Sequence, residues 1–399
     1  MCRKAFAALD RQRAAELKIY PVNHRRLLSR DGLPVAGLLW AITLAVFGYI
    51  FWKRIVLHAN SDLHIHIAHA RSMKSLMDIH SAHFLFQIAL IALSKGLPIS
   101  FELGAAILLG LTYAVMAVAV AAEIQRQRSD VSPAWAALYG FLCLLATHIF
   151  IATLFVPNFY YGYFGVTAYH NPTQQLNKMF ALLIWFTYCR AFLSERSLTP
   201  HVIATLMVLC LLSGIAKPSF LIVFLPLAGL VAVSDLLRGR IDLALGYATS
   251  IMLPSVLLLA WQYWMTYGSG GGLEVAPFVV VTSEYLYRLP LSLAFPLAAT
   301  ILMWRDAARS RRFLLAWAAF VISFLYVTLL AETGPRRLQG NFGWSSQTFL
   351  FLLYVESLLL ALAATGRRRR VLLAVFAVHV TFGAIFAIAN AFYPAELWA

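Results

Sequence analysis

The chain has 399 residues, 61% of them hydrophobic, with a mean hydropathy of +0.76. A soluble domain could not hide that much apolar surface, so the composition indicates an all-α, polytopic membrane protein. The formal charge of +15 would suit nucleic acid. Most Lys and Arg, however, lie in short segments between apolar runs, where they set membrane orientation, and nucleic acid is excluded as a partner on that ground.

Residues 1–32 form a basic tail, too long and charged for a secretory signal, expected on the cytoplasmic side. Its alternating charges (LDRQRAAELK) allow either a solvated tail or an interfacial helix. A span needs roughly 20 apolar residues. Runs of that kind lie near 33–52, 101–122, 133–156, 175–193, 200–215, 218–235, 242–266, 284–303, 313–331, 344–364 and 371–391. They give about 11 transmembrane helices in one domain, 33–391, followed by a short outer C-terminal segment, 392–399. Of the four cysteines, Cys143, Cys189 and Cys210 fall within apolar runs and Cys2 in the tail, so no disulfide framework is expected. The triplet Asn171-Pro172-Thr173 has proline where an N-glycosylation acceptor forbids it. With the Ala- and Arg-rich composition, this points to a bacterial inner membrane.

One shorter run, 81–95, is only 15 residues long and sets the parity of everything after it. If it does not cross, the cytoplasmic segments are 1–32, 123–132, 190–199, 236–241, 304–312 and 365–370, and they hold 22 of the 32 Lys and Arg. If it crosses, all of these but the tail land outside. The positive-inside rule favours the first arrangement. Residues 58–100 are then one long outer loop with juxtamembrane helices.

That outer face collects the unusual polar residues. HANSDLHIHIAHA, residues 58–70, carries Asp62 with His58, His64, His66 and His69. On a helix Asp62, His66 and His69 share a face; on a strand Asp62, His64 and His66 do. Either geometry puts a carboxylate beside an imidazole, which suits a general base, with the histidines as supporting groups or metal ligands. The plainer reading is an interfacial helix whose histidines meet headgroups. A divalent ion, Mg2+ or Mn2+, is the candidate cofactor, although no HExxH or closed Cys/His pattern specifies a metal. Tyr160, Tyr161, His170 and Asn171 resemble either a sugar-contacting surface or an ordinary aromatic belt. Lys217, Arg288, Arg336 and Arg337 are cations on the outer side, against the charge trend, and suit a phosphate or anionic headgroups. Glu284, Glu332 and Asn341 are further sugar or acceptor candidates. Glu356 sits inside an apolar run, where an acid suggests an ion path or a partner on another span.

An acid just beyond the first span, in a long outer loop with juxtamembrane helices, resembles the GT-C class of integral-membrane glycosyltransferases. Asp62 in SDLHIHIAHA matches the acidic residue of that loop. The resemblance implies a polyprenyl-phosphate-linked sugar as donor and an outer active site. It also implies transfer to a glycan or lipid acceptor, as in building cell-envelope polysaccharide, with membrane lipid around the chain. Asp62 would be the catalytic base, and Arg336, Arg337, Lys217 and Arg288 the donor-phosphate side. Many members pair the acid with a second one, whereas Leu63 follows here. Two competing functions are a secondary transporter or flippase using Glu356, and a polysaccharide polymerase or ligase. The absence of an internal repeat weighs against the transporter, and the short later loops against the polymerase.

Overall fold

The computed structural model describes residues 33–57, 62–75, 78–79, 81–151, 165–166, 168–193, 198–268, 270–281 and 283–393. The charged tail, His58, Tyr160, Tyr161 and residues 394–399 therefore lie outside the described residues. The chain is an all-α, membrane-type bundle. Among the described residues, six helices are long and apolar enough to cross a bilayer, accompanied by shorter apolar helices.

In chain order the helices are α1 (Leu33–Val56), α2 (Asp62–Ser72), α3 (Leu85–Gly96), α4 (Phe101–Gln127), α5 (Pro133–Leu145), α6 (Pro172–Phe192), α7 (Pro200–Ala216) and α8 (Leu221–Leu237). Next, α9 (Ile241–Tyr247) runs through a π turn into α10 (Leu253–Tyr267). There follow α11 (Ser283–Leu302), α12 (Trp304–Arg309), α13 (Arg311–Leu329), α14 (Gly343–Ala363) and α15 (Gly366–Phe392). Several starts obey simple capping chemistry, in which a side-chain oxygen accepts an orphan N–H of the first turn. Ser132, Asn171 and Thr199 each cap a helix whose next residue is proline, which has no N–H to leave unpaired at that position. The Asn-Pro-Thr triplet is thus a helix start.

α14 is the central post, with 89% of its most apolar window buried. In lipid, helices associate through close packing and polar contacts more than through hydrophobic exclusion. Gly383 of α15 illustrates the packing: a Cβ there would overlap the Leu145 carbonyl oxygen. The same spot corrects the expected run 133–156, because α5 stops at Leu145. The backbone beyond it is irregular and meets polar groups of other helices at Thr147 and Ile149, which suits such backbone at membrane depth. Thr147 N donates to His379 O (3.2 Å), His379 Nδ1 contacts Thr147 O (2.6 Å), and Ile149 N donates to Leu291 O (3.2 Å). Pro296 in α11 removes the N–H that would serve Ser292 O, and Tyr354 Oη donates there at 2.7 Å.

The segment 58–100 contains two short helices, as expected. α3 has 12 residues, and α2 is helical from Asp62, so the helical alternative for DLHIHIAHA holds. The end of α2 and the end of α3 both meet the start of α4: Arg71 pairs with Glu102, and Ser94 lies against Gly104. One feature departs from the helical expectation. Leu273–Val275 (β1) and Leu330–Glu332 (β2) pair antiparallel, with Leu273 opposite Glu332. Three-residue strands leave no alternation long enough to read from sequence.

Candidate functional site

Asp62 is the first residue of α2, and its Oδ2 accepts a hydrogen bond from Asn171 Nδ2 at 2.6 Å. Asn171 Oδ1 is already committed to Gln174 N (3.0 Å) and Thr173 Oγ1 (2.8 Å), which fixes the amide with its nitrogen toward the carboxylate. The turn before α6 is clamped in the same way. Gln175 Nε2 donates to Ala168 O at 2.7 Å, Lys178 Nζ to Val166 O at 2.8 Å, and Tyr113 Oη to Gln175 Oε1 at 2.9 Å. His170 on this turn packs against Trp344, with ring centroids 5.1 Å apart. Burial pushes the His170 imidazole down to about 4, although the Asp62 charge pulls the other way.

A polar ladder ties α6 to its neighbours. Gln174 Nε2 donates to Trp344 O (2.9 Å) and Thr348 Oγ1 (2.8 Å), and Ser219 Oγ donates to Gln174 Oε1 (3.0 Å). It anchors the turn between α7 and α8, where Lys217 Nζ stands 4.4 Å from the centroid of the Trp344 ring. Burial pushes the Lys217 ammonium down to about 7, against the opposing pull of Asp62 and Glu332. Lys217 is therefore within electrostatic reach of two carboxylates contributed by distant parts of the chain.

His66, one turn beyond Asp62, places Nδ1 2.9 Å from the Gln87 amide. The amide satisfies both its ends when its nitrogen faces the His83 and Phe84 carbonyls, each at 3.2 Å, and its oxygen accepts from His66 Nδ1. In that tautomer Nε2 is the basic nitrogen of His66. Burial first, then the Lys217 charge, pushes both His66 and His83 down to about 4, so both rings are neutral at physiological pH.

A cavity of about 380 Å³ opens beside this group, with His83, Lys217, Gln262, Tyr267, Glu332 and Arg336 among its polar walls. Tyr267 Oη donates to Glu332 Oε1 at 2.6 Å, Asn341 Nδ2 donates to Glu332 Oε2, and Arg336 Nη1 lies 3.7 Å from Glu332 Oε1. The β1–β2 ladder sets Glu332 in place, and Gly334 and Gly340 take φ of +68° and +63° in the turn that follows.

The fold thus gathers Asp62, His66, His170, Asn171, Lys217, Glu332, Arg336 and Asn341 from sequence-distant loops. It does not gather all the candidates. Arg337 is turned to the exposed side of the ladder and donates to Glu274 at 2.5 Å. Arg288 is buried in α11 and is not among the cavity walls. His69 is exposed, and His64 is half-buried on another side of α2. The side chain of Glu284 is outside the described residues. Among the described residues, no three His, Cys, Asp or Glu side chains converge as metal ligands.

His83, Gln262, Tyr267, Trp344 and Lys178 were not singled out from sequence. Gln262 and Tyr267 lie in the last turns of an apolar run, and only their clustering with Tyr263 and Thr266 on one face hinted at a polar wall. At the other end of the bundle Glu356 is engaged through Oε1. It accepts from Trp185 Nε1 (2.8 Å) and from Arg312 Nη2 (2.6 Å), and Arg312 also pairs with Glu123. No family model matches the sequence, and no curated protein matches it.

Proposed function

We propose that the protein is an inverting membrane glycosyltransferase that moves a sugar from a polyprenyl-phosphate donor to a glycan or lipid acceptor at the outer membrane surface. The carrying observation is the Asn171-held carboxylate of Asp62 within electrostatic reach of Lys217, which lines a cavity together with Arg336.

The orientation follows from α3. Twelve residues at about 1.5 Å rise give about 18 Å, short of the roughly 30 Å hydrocarbon core. Both flanks of α3 belong to one end of the bundle, His83 at the cavity and Ser94 against the first turn of α4. With α3 not crossing, the eleven passes are α1, α4, α5 continued by the irregular segment from 146 to 151, α6, α7, α8, α9 with α10, α11, α13, α14 and α15. The basic segments holding Arg305, Arg309 and Arg367 to Arg370 then face the cytoplasm, and Asp62 with the cavity faces outward. In a bacterium that is the periplasmic side of the inner membrane.

The chemistry needs few groups. The acceptor hydroxyl attacks the anomeric carbon and gives its proton to Asp62, or through it to the basic nitrogen of His66. The anomeric C–O bond breaks, and its electron pair leaves on the phosphate, which needs no protonation. Hydrolases need a second carboxylic acid because their leaving alcohol must be protonated. Lys217 and Arg336 stabilise the charge that builds on the departing phosphate. Asn171 keeps Asp62 aimed, and Glu332 with Asn341 and Tyr267 forms a polar wall for hydroxyl groups. The transporter reading draws on Glu356 and the histidines; the pairing of that acid with Arg312 and Trp185 supports a structural role for it instead.

The test is sugar transfer by the reconstituted protein from polyprenyl-phosphate-linked sugar. Transfer with inverted anomeric configuration is expected, and Asp62→Asn should lower it by about 10²–10⁴-fold without loss of folded protein. Wild-type rates in Asp62→Asn would refute the assignment of the base.

A further inference from the structure

Gln262 on α10 is 3% exposed and forms part of the cavity wall. Its Nε2 donates to Ala82 O at 2.8 Å and to Gly214 O at 2.7 Å. The reverse orientation would press Oε1 against two carbonyl oxygens, so the amide is fixed. Oε1 is consequently a buried acceptor with no hydrogen-bond partner among the described residues. A buried acceptor of this kind is costly until a donor reaches it. His83 stands beside it, with Nδ1 3.4 Å from Gln262 Nε2, and lines the same cavity.

We propose that Gln262 and His83 form a hydroxyl-binding subsite, in which Gln262 Oε1 accepts a hydrogen bond from an uncharged hydroxyl of the transferred sugar. The inference rests on the glycosyltransferase reading and locates the sugar within the cavity. A phosphate or carboxylate has no proton to offer Oε1 and would be repelled by it. An ammonium group is disfavoured by Lys217 and Arg336 on the same cavity. A neutral O–H donor fits both constraints. The cavity then divides by chemistry. Lys217 and Arg336 hold the anionic linkage, and Gln262 with the neutral His83 ring, one donor and one acceptor, holds the ring hydroxyls.

The experiment reads the lipid that stays bound. The full-length protein is purified on an Asp62→Asn background, so that bound donor is not consumed. Co-purified lipid is extracted, and the ratio of glycosylated to bare polyprenyl phosphate is measured by mass spectrometry. Gln262→Leu should lower that ratio by about tenfold or more, because the sugar loses its acceptor while the phosphate keeps its cations. Gln87→Leu breaks the other amide staple of the 82–84 turn, away from the cavity wall, and should leave the ratio unchanged. An unchanged ratio in Gln262→Leu, or an equal fall in Gln87→Leu, overturns the subsite. Absence of any polyprenyl phosphate from the parent protein overturns the glycosyltransferase reading itself, and the subsite with it.

Discussion

Lys217 is the residue on which the site's electrostatics turn. Its ammonium is pushed from 10.5 to about 7 by burial, with Asp62 and Glu332 resisting. Below pH 7 the group is charged and can stabilise a departing phosphate; above it that help is lost. A transfer rate that falls as pH rises through about 7 is expected. Lys217→Arg, charged at every accessible pH, should remove this alkaline limb in a pH–rate profile, whatever it does to the maximum. His66 and His83 titrate near 4 and stay neutral across that range, so they do not contribute a limb of their own. Of these residues, Asp62 was legible in sequence because a carboxylate beyond the first span has no structural motive. Asn171 was legible as a polar group, though not as the residue that aims Asp62. His83 lay in the histidine-rich segment but had no spacing to single it out. Gln262 was marked only by its one-face clustering with Tyr263, Thr266 and Tyr267 at the end of an apolar run, a signal too short to stand out.

At the scale of elements, the cluster of Glu123, Arg126, Arg312 and Glu356 joins α4, α13 and α14, with Trp185 of α6 as a fourth anchor. Removing one member of a buried ion network leaves its partners uncompensated, at about 3–5 kcal/mol. Arg312→Met leaves buried Glu356 without a cation and Glu123 with Arg126 alone, and should sharply lower the thermal stability of the detergent-solubilised protein. Glu356→Gln keeps the Trp185 contact, leaves Arg312 paired with Glu123, and should be much milder. Equal losses would mean that the cluster is not organised around Arg312. The helices themselves were largely visible as apolar runs, because each must satisfy its backbone internally. The early end of α5 at Leu145 was not, since the residues that accept the unwound backbone, His379 and Leu291, come from α15 and α11. Tertiary partners of that kind leave no trace in the local pattern.

For the molecule as a whole, sidedness is the claim that organises the rest. In the proposed arrangement, eleven passes with α3 held at the outer end would put Gln127 inside and Lys95 outside. A membrane-impermeant thiol reagent applied to intact cells should label Lys95→Cys and spare Gln127→Cys, on a background with the native cysteines replaced. Labelling of Gln127→Cys with Lys95→Cys spared would mean that α3 crosses and that the distant loops do not share a side with Asp62. The charge distribution motivates this arrangement, since 22 of 32 Lys and Arg fall on one side of it. What charge could not foresee is which outward cations meet the cavity. Arg336 does, while Arg337, its immediate neighbour, is drawn to Glu274 across the ladder.

The most direct test of the central claim compares Asp62→Asn with Glu356→Gln in proteoliposomes supplied with polyprenyl-phosphate-linked sugar and acceptor, reading release of free polyprenyl phosphate. Glu356→Gln should release it at close to the wild-type rate, and Asp62→Asn should fall by at least about 100-fold. Release sustained in Asp62→Asn but lost in Glu356→Gln would contradict the account, and would return the working site to the membrane interior.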